Sequence, residues 1–395
     1  MEAASEMKTE TITLNMGPQH PSTHGVLRVI LEMEGEVIIK ATPVMGYLHR
    51  GIEKIAEHKT YHQFITLTDR LDYTSPFINN LAYILTVEKL LDLEVPLRAQ
   101  YIRVMLSEIT RIQSHLIWLG THALDIGAMS PLLYTFRERE ETLDMFEMVG
   151  GARMNQSYFR IGGLAGDLPE GFLEKVKAFC EVLPSRIDGY ETLLTENKIW
   201  LERTKGVGVI SAEEGIELGL SGPCLRGCGV KWDLRKANPY SSYDHFDFEI
   251  PTGEKGDSYD RYLVRMEEMR QSNRIVKQVL DKLPSGEINA CNPKVVPPLK
   301  ENVQNNVESL IIHFHLMTEG FEVPKGEAYC SVESSKGELG FYVVSDGSNK
   351  PYRIKIRTPS FVNMESLSTM TEGRMMADIV TVIGSIDICL GELDR

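Results

Sequence analysis

Two histidines stand four residues apart in Gly17-Pro18-Gln19-His20-Pro21-Ser22-Thr23-His24-Gly25. An imidazole can bind a metal, pass a proton or bond to the backbone. Helical spacing would put both rings on one face, but Pro21 breaks that geometry, and two prolines with two glycines make the run a fixed loop. Zinc needs three or four convergent ligands, and no matching cluster follows in the sequence. Backbone-bonded loop histidines, or a proton donor whose tautomer is set by a distant partner, are the readings left open.

Other polar islands carry similar chemistry. Asp69-Arg70-Leu71-Asp72-Tyr73-Thr74-Ser75 reads as a helix junction before Pro76. Thr121-His122-Ala123-Leu124-Asp125 ends a long apolar-periodic stretch, where an acid serves as cap, solvated residue or partner of a catalytic group. The basic-aromatic run from Arg226 to Tyr240 lacks the spacing of a phosphate loop, so it reads as a packed loop paired with acids or as a subunit contact. Arg261, Arg265 and Arg270 read as a solvated or salt-bridged helix face. The six cysteines are dispersed, as suits reduced thiols, and Cys224 with Cys228 is a weak metal signal by itself.

These residues must be positioned by regular elements. Strands are expected over 9–15, 26–33 and 37–42, the last two joined at Glu34-Gly35-Glu36. The period then lengthens: Ile102, Leu106, Ile109, Ile112, Leu116 and Leu119 mark a helix over 98–121 with a core face. Further helices are expected around Leu173 to Ile187, over 259–283, and around Val303, Val307, Leu310 and Phe314. Alternation returns over 329–333, 340–346 and 353–357, so the expected class is α+β, a central helical bundle flanked by small N-terminal and C-terminal β-sheets.

Composition narrows the function. Forty-two Lys+Arg against 56 Asp+Glu leave a net charge of −14 without a basic run, which argues against nucleic-acid binding. Residues 1–10 hold three glutamates and no apolar core, so they do not read as a secretory signal. No stretch of 18 apolar residues occurs, so a membrane would be met from its side.

Together, the loop Gly17 to Arg28, the Asp69 to Ser75 segment, residues 231–236, Gly256-Asp257-Ser258-Tyr259-Asp260-Arg261-Tyr262-Leu263 and Gly391-Glu392-Leu393-Asp394-Arg395 closely resemble the 49 kDa (D) subunits of respiratory complex I, the proton-pumping NADH:quinone oxidoreductase. The resemblance spans essentially the whole chain after Lys8. It implies an extension over 1–8 and one domain over 9–395: a β region over 9–50, a bundle over 52–320, a small sheet over 325–360, and a segment over 361–395 that returns to the site.

That family is in turn similar to the large subunit of nickel-iron hydrogenases, whose metal sits on two Cys-x-x-Cys pairs. Here those positions are Asp72, Ser75, Cys389 and Glu392, and one thiol cannot hold such a centre. No metal of its own is therefore expected, and Cys389 reads as a small buried hydrophobe. The resemblance puts a quinone headgroup there instead, touched by Tyr73 and His24, with Asp125 paired to that histidine. Phenol and imidazole are both donors to the quinone oxygens, and with reference pKa values of roughly 10 and 6.5 the histidine is the easier one.

The electrons are implied to come from a [4Fe–4S] cluster held by a neighbouring subunit, beside Arg50 and Arg70. Partners implied are the B-type cluster subunit, the C-type 30 kDa subunit, the I-type ferredoxin-like subunit and the H-type membrane subunit through which ubiquinone or menaquinone enters. The implied location is peripheral, on the cytoplasmic side of a bacterial membrane or its organelle equivalent. Many relatives carry a histidine where this chain has Asn155, which cannot titrate near neutrality, so the reduction potential of the neighbouring cluster is expected to depend on pH more weakly than in those relatives. A membrane-bound hydrogenase relative and a scaffold without substrate contact are the rival readings.

Overall fold

The computed structural model describes residues 10–395. The expected extension over 1–8, and Thr9 at the head of the first expected strand, lie outside the described residues. Strands Thr11–Met16, Arg28–Glu34 and Val37–Val44 pair antiparallel in sequence order. Val29, Leu31 and Met33 alternate inward, as a half-buried strand requires, and pack with Ile379, Val382 and Ile383 near the chain's other end. Gly35 turns the hairpin at φ 62°.

A second, larger core lies among the helices Pro76–Leu91, Leu97–Asp125, Met129–Gly150, Phe172–Leu194 and Ser258–Lys282. The sheet of Gly326–Glu333, Glu338–Ser345 and Arg353–Arg357 covers it, contributing Val332, Leu339, Phe341, Val343, Ile354 and Ile356. The architecture is mixed, helices with small sheets.

Helix Leu97–Asp125 goes beyond its expected core stripe, because every residue from Tyr101 to Leu116 is buried. Its polar side faces Ser258–Lys282 across a dry seam of charges. Arg226 reaches Glu268 at 2.6 Å and Glu333 at 2.7 Å; Arg235 reaches Asp233 at 2.6 Å and Glu108 at 3.1 Å. Arg111 lies 3.2 Å from Glu108, and His115 lies 2.9 Å from Glu268. Buried charge persists where each group is paired, as here. The run from Arg226 to Tyr240 is thus a packed loop paired with acids, as expected.

Two expectations fail here. Arg261 and Arg265 are fully buried rather than solvated. Positions 261, 265, 268 and 272 recur three or four apart on the face turned into the bundle, whereas Arg270 points outward to Asp188 at 3.0 Å. Arg261 donates to the carbonyls of Gly208 and Gly256, and Arg265 lies 4.4 Å over the Trp118 ring. The helix expected across Val303 to Phe314 is broken at Asn306, whose side chain caps Val307–Thr318 by accepting from Glu308 and Ser309. Val307, Leu310 and Phe314 form an outward stripe, not a core face.

Candidate functional site

Four segments distant in sequence meet between the two cores. The first is the histidine loop. At Gly17, with φ 78°, a Cβ would come within 2.2 Å of the Leu27 carbonyl, so glycine is required. The buried Thr23 hydroxyl lies 2.9 Å from the His20 carbonyl and 3.1 Å from that of Pro18, tying the loop to itself. His20 Nδ1 accepts from the Ser22 amide at 3.2 Å, the backbone-bonded reading. A short 3-10 turn, Pro21–Thr23, then ends at His24 in the left-handed region, φ 54°. His24 is exposed to solvent, yet its ring has protein closely around it. Burial, and then the Lys336 ammonium, lower its pKa and favour the neutral ring.

The second segment links Tyr61–Thr68 to Pro76–Leu91, where Pro76 suits the first helical turn. Asp72 turns inward: one carboxylate oxygen accepts from the Thr74 amide at 2.9 Å and hydroxyl at 2.7 Å, the other from Lys336 Nζ at 3.0 Å. Because Asp72 and Thr74 both point in, Tyr73 between them points out and is 46% exposed. Asn79 Nδ2 holds the Asp72 carbonyl at 2.9 Å.

Lys336 comes from the third segment, the turn between Gly326–Glu333 and Glu338–Ser345. Its ammonium also reaches Thr74 at 2.8 Å and Ser114 at 3.2 Å, with Asp387 at 3.7 Å. Ser335 joins Ser75 at 2.7 Å and Ser114 at 2.9 Å.

The fourth segment is the last nine residues. Cys389 is buried, its thiol 3.8 Å from the Leu71 carbonyl, in line with its expected role as a small hydrophobe. One Glu392 oxygen accepts from Ser360; the other is buried without a hydrogen-bond partner. Arg50 bridges the second and fourth segments, donating to Gly391 at 2.7 Å and Arg70 at 3.0 Å. The Asp394 carboxylate accepts from the Gly46 and Leu48 amides at 2.8 and 2.6 Å.

Three carboxyl groups thus surround one ammonium. Burial pushes Asp72 up, but Lys336 and Thr74 outweigh it and its net shift is down. Burial raises Asp387 to about 6, and burial with the Asp72 charge raises Glu392 to about 8. A raised carboxyl stabilises the fold fully below its unfolded value near 4.5 and loses that contribution as pH climbs through 8. Glu392→Gln, an isostere of the neutral acid, is therefore expected to gain thermal stability relative to the unaltered chain on going from about pH 6 to about pH 9. A midpoint difference that stays flat with pH would show Glu392 ionised throughout.

Among the expected site residues, Tyr73 and His24 both border this cluster. The Cys389 sulfur, partial burial and Asp72 hold the Tyr73 phenol protonated, above its ordinary value. Arg50 and Arg70 are joined, and both are exposed. Asp125 ends its long helix half-buried, raised to about 6 by burial, with the His20 imidazole opposing. The hydrogen bond between Asp125 and His24 is not formed in this structure; the histidine whose charge reaches Asp125 is His20, one turn earlier in the loop. Asn155 has φ 56°, a conformation asparagine tolerates. Cys224 and Cys228 are buried in the smaller core. Lys336, Ser114 and Asp387 are not singled out by the sequence, since a lysine in Ser334-Ser335-Lys336-Gly337 reads as solvated. Among the described residues, no three His, Cys, Asp or Glu side chains are placed to hold a metal ion, and no helix is long and apolar enough to cross a membrane.

Residues 125–395 match the family model described as respiratory-chain NADH dehydrogenase, 49 Kd subunit. The chain is 59% identical over 387 residues to the D-type subunit of the NADH-quinone oxidoreductase of Geotalea uraniireducens, covering 98% of this chain and 99% of the relative. It is 57% identical over 387 residues to the corresponding protein of Geobacter sulfurreducens, covering 98% and 99%. With the D-type subunit of Chloroflexus aurantiacus that is numbered 2 it shares 58% over 398 residues, 100% of this chain and 97% of that one. A match over nearly the full length of each relative, together with the family model, makes the chain a member of the 49 kDa subunit family of respiratory-chain NADH dehydrogenase, an oxidoreductase subunit of complex I.

Proposed function

We propose that this chain binds the quinone headgroup of the complex and helps protonate it during two-electron reduction coupled to proton translocation. The observation that supports the reading is that Tyr73 stands between Asp72 and Thr74, both bonded to the buried Lys336 ammonium, while burial and then the charge of that ammonium lower the proton affinity of His24. Reducing a quinone to quinol adds two electrons and two protons. A protonated phenol donates to one carbonyl oxygen and the neutral imidazole offers its N–H to the other. Negative charge arriving on the quinone raises the proton affinity of His24, which then takes up and passes on a proton. Asp125 meets His20 in this structure, and this reading brings it to the His24 imidazolium once the quinone is bound.

The same reading assigns Arg50 and Arg70 to the surface facing a partner's [4Fe–4S] cluster, where fixed positive charge favours the reduced state. Partners of the B, C and I types would supply electrons and flank the site, and an H-type membrane subunit would admit the quinone. The chain would then lie on the cytoplasmic side of the membrane. A nickel-iron-hydrogenase-like fold, as one domain over 9–395, accords with the meeting of Asp72, Ser75, Cys389 and Glu392 at one place.

His24→Ala in the assembled complex tests the reading against the scaffold alternative. Quinone turnover is expected to fall at least about tenfold, short of the roughly hundredfold low end of general-acid contributions because Tyr73 and water still donate, while reduction of a water-soluble artificial acceptor persists. A scaffold would leave quinone turnover near normal.

A further inference from the structure

We propose that Lys336 is a positioning residue of this site, the fixed cation that holds Asp72 and Thr74 and so presents Tyr73, which stands between them. The proposal deepens, and rests on, the reading of Tyr73 and His24 as headgroup contacts.

A lysine in a hairpin turn ordinarily extends its amine to water. Lys336 is 2% exposed, and all three of its N–H bonds are spent on Asp72, Thr74 and Ser114. The turn is built to aim it inward. Ser334 and Gly337 exchange backbone hydrogen bonds of 2.7 and 3.2 Å, and Asn363 holds the Lys336 carbonyl at 3.2 Å. Gly337, at φ 138°, packs where a Cβ would come within 2.5 Å of the Ser221 hydroxyl. Such pinning is costly to build for a residue that merely fills space.

What faces the ammonium explains the arrangement. The Tyr73 segment brings Asp72 and Thr74, the long helix brings Ser114, and the C-terminal segment brings Asp387, Cys389 and Glu392. Arg265, from Ser258–Lys282, adds its charge on the Asp387 side. Asp72, Ser75, Cys389 and Glu392 are the positions aligned with metal-binding cysteines in the hydrogenase resemblance, and here the central positive charge is an ammonium. Burial first, and then the fixed charge at that point, lower the proton affinity of His24 and make its imidazolium a readier donor.

The test is the pH profile of quinone reduction by the assembled complex carrying Lys336→Gln. Loss of the cation should raise the proton affinity of His24 and carry the alkaline limb upward. The ratio of turnover at about pH 8 to that at about pH 6 is expected to rise at least about threefold, with kcat reduced more than KM. Because the single change strands the Asp72 carboxylate, the double variant Asp72→Asn with Lys336→Gln is measured beside it, and should assemble and show the same displaced limb. Lys336→Arg, if charge is what matters, should keep the original profile. An unmoved limb in the double variant, or its failure to assemble, would make Lys336 a structural residue only. If His24→Ala also leaves quinone turnover normal, the headgroup reading itself has failed; if His24→Ala stops turnover while the double variant keeps its profile, only the role of Lys336 is lost.

Discussion

Tyr73→Phe is expected to lower quinone reduction by the assembled complex about a hundredfold, the scale of a positioned proton donor, with assembly and cluster content intact. The substitution removes one oxygen from a ring that is 46% exposed, so it leaves no cavity and strands no buried partner. Asp72 and Thr74 on either side keep their bonds to Lys336 and to each other, and the segment keeps its shape. The only chemistry lost is the phenolic O–H. Steady-state turnover with a short-chain quinone, beside spectroscopic quantification of the clusters, checks it. Unchanged turnover would make Tyr73 a packing residue and move the scaffold reading ahead.

A larger structural effect is expected from Arg226→Ala. Its guanidinium serves Glu268 and Glu333, and all three groups are at most 1% exposed. Removal leaves two carboxylates in the seam, with His115 and the Leu234 amide as their nearest remaining donors. Breaking a buried ion pair on one side costs about 3–5 kcal/mol, a large part of a domain's typical total stability of about 5–15 kcal/mol. The variant chain should be nearly missing from assembled complex, as read by its level in purified membranes. Adding Glu268→Gln should restore part of the loss, since the two changes share one interaction and their effects will not add. Normal abundance of Arg226→Ala would mean that water enters the seam and solvates what remains.

Much of the scaffold is legible in the amino-acid pattern. The strand Arg353–Arg357 and the long helix follow from local periodicity, because side chains alternate on strands and recur every three or four residues on helices. Local pattern misleads where tertiary context decides polarity. Arg261 and Arg265 look like a wet face until Trp118 and the carbonyls of Gly208 and Gly256 are brought against them. Val307, Leu310 and Phe314 recur at helical spacing as a core face would, yet all three are exposed among the described residues. Among the proposed site residues, His24, Tyr73, Arg50 and Arg70 are visible because a family resemblance names them. Lys336 is invisible because nothing within a four-residue turn says which way its side chain folds. Its direction is set by Asp72, 264 residues away in the chain.

That separation has a consequence for how the molecule is born. A ribosome releases the amino end first, at about 5–20 residues per second. Asp72 therefore emerges long before the lysine that neutralises it, and Arg50 before the Gly391 carbonyl it grips. The first sheet likewise waits for Ile379, Val382 and Ile383 to cover it. A half-made chain has neither the Lys336 cluster nor a covered first sheet, so the completion of both is a late event of synthesis. Any neighbour that docks on this face would meet a finished surface only after residues 379–391 have left the ribosome.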